Sequence, residues 1–334
     1  MVWGVMYLIT VVLSTLVVLG GGSWITFWWV MEFSGFVFLC WVYFGLSSTF
    51  DSADSVIWTY YVVQVLSGLF LFLGLGGILE SSPFQTMAQD WMILVGLLIK
   101  MGVPPFHGWL VRLSDSLTWG KFFGLVVIQK IPPMFLVVSL FSSHFSSKET
   151  LILGVWFCSL AGVMSIGQSS FRRFLVFSSI VNLGWMLLSS AVCSEMTTVL
   201  FVVLYSLMMG LVCWEMDKGH GSFSSYQLNF PCGHPKPLSP AVSLVVATMI
   251  GLPPLPIFLL KILIVLFAVK ESLLPVVAMI LISTSILTIG YFRLITTWVV
   301  GLSPEGWALG KVASLWFSLA SLAASSVGVW AWLM

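Results

Sequence analysis

Charge is the property that this sequence has least of. Only 7% of its 334 residues are charged and 59% are hydrophobic, whereas soluble domains carry roughly 25% charged residues. A net charge of +1 provides no basic surface for a nucleic acid. The five cysteines show no CxxC spacing, which argues against an iron–sulfur cluster. The composition therefore excludes a soluble domain and a nucleic-acid partner, and it indicates a protein whose solvent is the lipid bilayer.

Apolar runs fill most of the chain. A run of about 17–25 apolar residues is long enough to cross a bilayer as an α-helix. Eleven such runs are predicted, at residues 3–20, 24–45, 55–79, 91–110, 122–141, 151–168, 174–193, 197–214, 240–269, 273–296 and 313–333. The sequence therefore predicts an all-α polytopic membrane protein with about eleven transmembrane helices, built as a single integral-membrane domain over residues 1–334.

Basic residues are shared unequally between the two sides that eleven spans would create. The N-terminal side holds eight of them, Arg112, Lys121, Arg172, Arg173, Lys218, Lys236, Arg293 and Lys311, and the other side holds Lys148 and Lys270. Because basic loops remain on the side of synthesis, this bias places the N-terminus on the negative side of the membrane and the C-terminus opposite. Arg172 and Arg173 are interpreted as anchors whose charged ends reach the polar interface.

The only long polar connection covers residues 215–238. It contains or adjoins two cysteines and two histidines, which are Cys213, His220, Cys232 and His234. Cysteine and histidine are zinc ligands, but this spacing matches no standard zinc pattern. We therefore predict no metal site, and we interpret the segment as a solvated loop that contacts another subunit.

Four charged residues lie deep inside apolar runs: Glu32, Lys100, Lys130 and Lys261. A charge at the centre of a bilayer costs roughly 2.5–3.5 kcal/mol on insertion scales, so such residues usually mark ion or proton paths. Glu32 needs a partner at that depth, and Lys100 is the candidate that we predict. The alternative is a static ion pair with a purely structural role.

Each embedded lysine has prolines close to it in the sequence. Lys100 precedes Pro104 and Pro105, and His107 follows seven residues after the lysine, about two helical turns away. We therefore predict that Lys100 and His107 face the same side and that both carry protons. The alternative for His107 is an interfacial residue at a helix end.

Lys130 and Lys261 lie beside further prolines, at residues 132–133 and 253–256. Prolines remove backbone donors, and broken helices expose backbone groups that line ion sites in transporters. The fifth and ninth spans are therefore predicted to be proline-broken helices. Lys130 is the predicted central proton carrier, between Lys100 on one side and Lys261 on the other.

Five segments resemble the family of NADH dehydrogenase subunit 2, the mitochondrially encoded antiporter-like subunit of respiratory complex I. They cover most of the chain in order: Met31–Glu32, KMGVPPFHGW at 100–109, QKIPP at 129–133, RRFLVFSSI at 172–180 followed by Gly184 and Trp185, and GLPPL at 251–255 with Phe258 and Lys261. The segment at 100–109 is the most specific. Three positions depart from the family pattern: Asn182 stands where many relatives have histidine, Ile257 replaces the usual glycine, and Leu260 replaces a common proline.

The resemblance implies a function for the whole complex. Members of this family take part in proton translocation coupled to electron transfer from NADH to ubiquinone in the mitochondrial inner membrane. NADH, FMN, the iron–sulfur clusters and ubiquinone are then expected on other subunits, with no cofactor on this chain, and its partners are the other membrane subunits and the bilayer. The N-terminus is expected in the matrix and the C-terminus in the intermembrane space. The alternatives are a free-standing cation/proton antiporter and a non-conducting scaffold subunit.

Overall fold

The structure is a computed structural model that describes residues 2–20, 24–44, 50–77, 83–143, 148–168, 170–218, 248–249, 251 and 256–300. These residues are predominantly helical. The helices are α1 (Val2–Leu19), α2 (Trp24–Tyr43), α3 (Phe50–Gly77), α4 (Pro83–Met101), α5 (Gly108–Ser116), α6 (Trp119–Val126), α7 (Ile131–Ser143), α8 (Lys148–Met164), α9 (Phe171–Val192), α10 (Glu195–Lys218), α11 (Pro256–Lys270) and α12 (Leu274–Val300), with a 3-10 helix at Ile128–Lys130. The prediction of an all-α polytopic fold is confirmed.

Six stretches of the described residues are long and apolar enough to cross a membrane: Ile25–Tyr43, Ile57–Gly74, Trp119–Ser139, Phe171–Val192, Glu195–Asp217 and Leu274–Phe292. Two shorter apolar helices lie at Trp3–Val17 and Ile152–Met164. The eleventh predicted run, residues 313–333, lies outside the described residues. The predicted polar loop begins later than expected, because α10 continues as far as Lys218, and residues 219–238 of that segment are also outside the description.

α9 forms the centre of the bundle. Its most apolar 18-residue window is 94% buried, more than the corresponding window of any other span in the described part of the chain. α8 packs along one side of α9, and α5, α7, α10, α11 and α12 also contact it. Bulky apolar side chains dominate, with Trp185 the largest that is fully buried. Because α9 is enclosed in protein, its polar side chains can face other helices without contacting lipid.

The predicted break in the fifth span is confirmed. α6 ends at Val126, a 3-10 turn covers Ile128–Lys130, and α7 begins at Ile131. Pro132 and Pro133 have no N–H to offer the preceding turn. One carbonyl near the end of α6 finds its partner within the protein: the Tyr7 hydroxyl donates to the Gly124 carbonyl over 3.0 Å. Lys130 therefore lies where the backbone is least regular, and protein surrounds it.

Two basic residues expected at loops or at the interface are buried instead. Lys121 is 6% exposed, and its Nζ lies 3.4 Å from the Val42 carbonyl in the last turn of α2. The partial negative charge at that helix end favours a cation. Arg172 is 9% exposed and stacks 4.6 Å from the centre of the Trp119 ring. The interpretation of Arg172 as an anchor that reaches the interface is therefore wrong, because the ends of α5 and α6 cover its side chain.

Arg172 and Arg173 both hold Asp115, but by different means. Arg172 donates from Nη1 to the Asp115 backbone carbonyl over 3.0 Å. Arg173 forms an ion pair with the Asp115 carboxylate, with Nε–Oδ2 at 2.7 Å, and its side chain is 42% exposed. These contacts tie the end of α5 to the start of α9.

The difference in burial predicts unequal effects of two neighbouring substitutions. Arg172→Met is expected to destabilise the folded protein by about 1.5–3 kcal/mol, since it removes a buried charged hydrogen bond. Arg173→Met is expected to cost no more than about 1 kcal/mol, because its ion pair is partly exposed. The loss of stability in each variant would be measured by thermal inactivation of the membrane-embedded protein. Equal losses in the two variants would contradict this account.

Candidate functional site

The Glu32–Lys100 ion pair joins α2 to the end of α4. The Lys100 Nζ lies 2.6 Å from Glu32 Oε1, and the two side chains are 3% and 24% exposed. The predicted pairing of Glu32 with Lys100 is confirmed.

The position of Lys100 is set by the way in which α4 ends. Gly102 has φ +68°, its N–H bonds to the Ile99 carbonyl at 3.1 Å, and the Val103 N–H bonds to the Leu98 carbonyl at 2.9 Å. This is a Schellman motif, which needs glycine at the left-handed position. The helix therefore stops at Gly102, before the prolines. Lys100 then lies in the last turn of α4, where the helix dipole favours a cation.

The expectation that Lys100 and His107 share one helix face is wrong, because α4 ends at Met101 and α5 begins at Gly108. His107 instead places its ring 5.7 Å from the ring of Phe177 in α9. Its Nδ1 atom is buried and makes no hydrogen bond to the part of the chain that the structure describes. The proposed proton-carrying role of His107 therefore stays a prediction without the support of a shared face.

Gly68 of α3 provides the surface on which Glu32 lies. A Cβ atom at position 68 would be 2.7 Å from Glu32 Oε1 and 2.8 Å from its carboxyl carbon. The Gly68 carbonyl also accepts a hydrogen bond from Trp28 Nε1 at 2.9 Å, one turn before Glu32 in α2. The absence of a side chain at Gly68 thus allows the carboxylate to approach the α3 backbone.

Lys130 contacts α9 directly. Its Nζ donates to Ser179 Oγ over 2.9 Å, so this hydrogen bond joins the turn of Lys130 to α9. Lys130, Ser179 and Tyr205 also line a cavity of about 20 Å³, which is large enough for one water molecule. The Tyr205 hydroxyl is buried and makes no hydrogen bond within the described ranges.

Lys261 lies in α11, five residues after the helix begins at Pro256. Its Nζ is 5.7 Å from the centre of the Trp185 ring, a distance at which the ring face attracts a cation. It lines a cavity of about 450 Å³ between α11 and α12, together with the hydroxyl-bearing residues Thr284, Ser285 and Thr288. Gly251, with φ +79°, borders the same cavity, while residues 252–255 of the predicted break lie outside the description.

The positions that depart from the family pattern are buried. Ile257 and Leu260 are 2% and 1% exposed and belong to the hydrophobic core. Asn182 is 5% exposed and lies on α9, one turn after Ser178. The large apolar side chains of Ile257 and Leu260 therefore fill space in the core next to α11. The glycine and proline of the family pattern would leave this space with a different shape.

Two polar residues of α3 lie near the site although neither is among the residues predicted from the sequence. Tyr60 and Gln64 are 2% and 5% exposed, and the Tyr60 hydroxyl contacts the Gln129 amide nitrogen. Both are uncharged, so a search for embedded charges passes over them. The detectable signal is that Gln64 is a lone amide inside the apolar run of residues 62–66.

The site therefore combines one buried ion pair with two further buried or half-buried lysines, all on helix ends or beside helix breaks. Lysine and carboxylate groups exchange protons, and none of the contacts above involves a nucleophile–base pair or a phosphate-binding loop. Among the described residues there is no group of three His, Cys, Asp or Glu side chains that could hold a metal ion. The arrangement is suited to holding and moving protons.

Comparison with known proteins identifies the family of this chain. The sequence model for the transmembrane region of NADH:quinone oxidoreductases and Mrp antiporters matches residues 21–288. The NADH-ubiquinone oxidoreductase chain 2 of Branchiostoma lanceolatum is 26% identical over 312 residues, covering 90% of this chain and 87% of that protein. The protein of the same name from Rhipicephalus sanguineus is 27% identical over 299 residues and covers 86% of each chain.

Solved structures share the fold. A chain of respiratory complex I from Thermus thermophilus superposes with a TM-score of 0.75 at 16% identity, over 97% of this chain and 78% of that one. A chain of the archaeal membrane-bound sulfane sulfur reductase superposes with a TM-score of 0.78 at 17% identity, over 97% and 73%. The match to the family model spans most of the sequence, and the chain belongs to the NADH:quinone oxidoreductase/Mrp antiporter family of membrane proteins.

Proposed function

We propose that this chain is the subunit-2 membrane component of a mitochondrial NADH:ubiquinone oxidoreductase and that it takes part in proton translocation. The observation that carries the proposal is the Glu32–Lys100 ion pair, 2.6 Å across and partly buried, with Lys130 buried on a broken helix. A buried ion pair contributes little net stability, so structure alone is a weak reason for it to be there.

In this proposal the chain carries no redox group. Electron transfer from NADH to ubiquinone takes place on other subunits, and a conformational change there separates or joins the charges here. Glu32, Lys100, Lys130, Lys261 and His107 are the proposed proton-transfer residues. Its partners are the neighbouring membrane subunits and the lipid of the inner membrane, which the chain crosses several times as a single domain.

Purification of the native chain tests this assignment against a free-standing antiporter. We expect the chain to co-migrate in mild detergent with NADH:ubiquinone oxidoreductase activity and with several other membrane subunits. A chain that migrates alone, and that exchanges cations for protons when reconstituted into liposomes, would overturn the assignment in favour of the antiporter.

The proposed orientation places the N-terminus in the matrix and the C-terminus in the intermembrane space. The basis is the excess of eight basic residues over two on the N-terminal side of eleven spans. Tags at the two ends, probed with protease in mitoplasts, provide the measurement: only the C-terminal tag should be cleaved. Cleavage of both tags would refute the eleven-span topology, and cleavage of the N-terminal tag alone would reverse the orientation.

A further inference from the structure

Tyr60 connects α3 to the turn that carries Lys130. Its hydroxyl accepts a hydrogen bond from Gln129 Nε2, and Gln129 immediately precedes Lys130 in the 3-10 helix. The same hydroxyl lies 3.5 Å from the Gly35 carbonyl of α2. Phe38 and Trp109 pack against the Tyr60 ring, with centroids 5.6 and 5.7 Å away, so its orientation is fixed by packing.

Gln64 lies one turn further along α3, on the same face as Tyr60. Its Oε1 is 3.9 Å from the point where a Cβ of Gly35 would be, and the Tyr60 hydroxyl is 3.6 Å from that point. Gly35 lies one turn after Glu32 in α2. Gln64 is thus placed between the Tyr60–Gln129 contact and the carboxylate of Glu32.

The amide of Gln64 has no protein partner on the described chain. Neither its Nε2 nor its Oε1 makes a hydrogen bond there, and the same is true of Gln129 Oε1. Buried polar atoms in folded proteins almost always have a partner, and where protein supplies none the usual partner is an ordered water. The two amide atoms of Gln64 and the Oε1 atom of Gln129 therefore form a small polar region inside an apolar core.

The face of α3 that carries these residues continues to the ion pair. Tyr60, Gln64 and Gly68 follow one another at intervals of four residues, the spacing of one helix face. Gly68 is the residue on which the Glu32 carboxylate lies. One face of α3 therefore runs from the ion pair at one end to the Lys130 turn at the other.

We infer that Tyr60, Gln64 and Gln129 support a water-mediated hydrogen-bond path between the Glu32–Lys100 pair and Lys130. This inference rests on the proposed function. A proton released from the pair passes to water held by the Gln64 amide. The Tyr60 oxygen accepts a proton from this water, and its own proton, which otherwise faces the Gly35 carbonyl, leaves to a second water on the Lys130 side, so the hydroxyl is unchanged afterwards. The proton then reaches the neutral amine of Lys130. Gln64 and Gln129 are positioning residues, because they hold water without exchanging protons themselves.

Tyr60→Phe tests the inference and has a matched control next to it. The substitution keeps the ring and its packing and removes only the hydroxyl, so the complex should assemble. We expect the protons pumped per NADH oxidised to fall by about tenfold. Tyr61→Phe removes a hydroxyl from a residue that is 45% exposed on the adjacent face and should leave pumping unchanged. Equal pumping in both variants, at the unsubstituted level, would overturn the inference.

Gln64→Met provides a second test that does not depend on the first. Methionine is unbranched and similar in length, and Gln64 makes no hydrogen bond to the described residues whose loss would unfold the site. A residue with only a structural role would leave pumping intact and thermal stability equal or higher. We expect stability to be retained and pumping to fall by about tenfold. Retained pumping would overturn the role of Gln64.

Lys130→Met, measured in parallel, separates this inference from the proposed function. If Lys130→Met abolishes pumping while Tyr60→Phe and Gln64→Met pump normally, the function stands and the α3 path is wrong. If Lys130→Met also pumps normally, Lys130 is structural and both its proposed proton-transfer role and the α3 path fail. A Tyr60→Phe complex that does not assemble would count against a purely proton-carrying role, and Gln64→Met would then decide the path.

Discussion

Replacing Lys130 with methionine is expected to lower the protons pumped per NADH oxidised by about tenfold or more, while the complex still assembles. Methionine retains the unbranched stem and removes the amine, so membrane insertion should be preserved. The structural loss is small, because the Ser179 hydroxyl that accepts from Lys130 keeps its own bond to the Val176 carbonyl at 2.6 Å. Proton uptake and NADH oxidation should be measured together in reconstituted vesicles.

Lys270→Met is the matched control for this substitution. Lys270 is the last residue of α11, is exposed, and contacts the Phe267 ring at 5.3 Å. The substitution of Lys270 removes the same charge from the same chain without touching the buried site, so pumping should not change. Normal pumping by an assembled Lys130→Met complex would show that Lys130 is structural.

Replacing Glu32 with glutamine is expected to affect both stability and pumping. The substitution removes the charge and leaves the Lys100 ammonium, whose side chain is 3% exposed, without its counter-ion. Leaving one partner of a buried pair uncompensated costs about 3–5 kcal/mol. We therefore expect a lower temperature of thermal inactivation, less assembled complex, and a large loss of pumping in the complex that remains. A Glu32→Gln complex as stable as the unsubstituted one would show that the pair is well solvated.

The embedded charges could be predicted from the sequence because a charged residue inside an apolar run is costly in a bilayer and is therefore rare. Glu32 and Lys100 are 68 positions apart, and the cost of an unpaired charge in lipid was enough to predict that they meet. The break beside Lys130 was equally accessible, because proline acts through local chemistry. In both cases the signal is carried by one residue type whose effect does not depend on how the helices pack.

The remaining features depend on packing, which the sequence does not display. α4 ends at Met101, followed by the left-handed Gly102, so the shared face predicted for Lys100 and His107 does not exist. Lys121 and Arg172 look like loop or interface residues, but neighbouring helices cover them. The contact between Tyr60 and Gln129 joins residues 69 positions apart and involves no charge, so nothing local indicates it.

The central claim is that the Glu32–Lys100 pair serves proton transfer, and one double variant tests it most directly. Glu32→Gln combined with Lys100→Met removes both charges together, so no unpaired ion remains to destabilise the fold. The measurement is the number of protons pumped per NADH oxidised by the assembled double variant in vesicles. The account predicts a complex that assembles better than the Glu32→Gln single variant but pumps about tenfold fewer protons than the unsubstituted complex. Normal pumping by the double variant would contradict it and would reduce the pair to a structural contact.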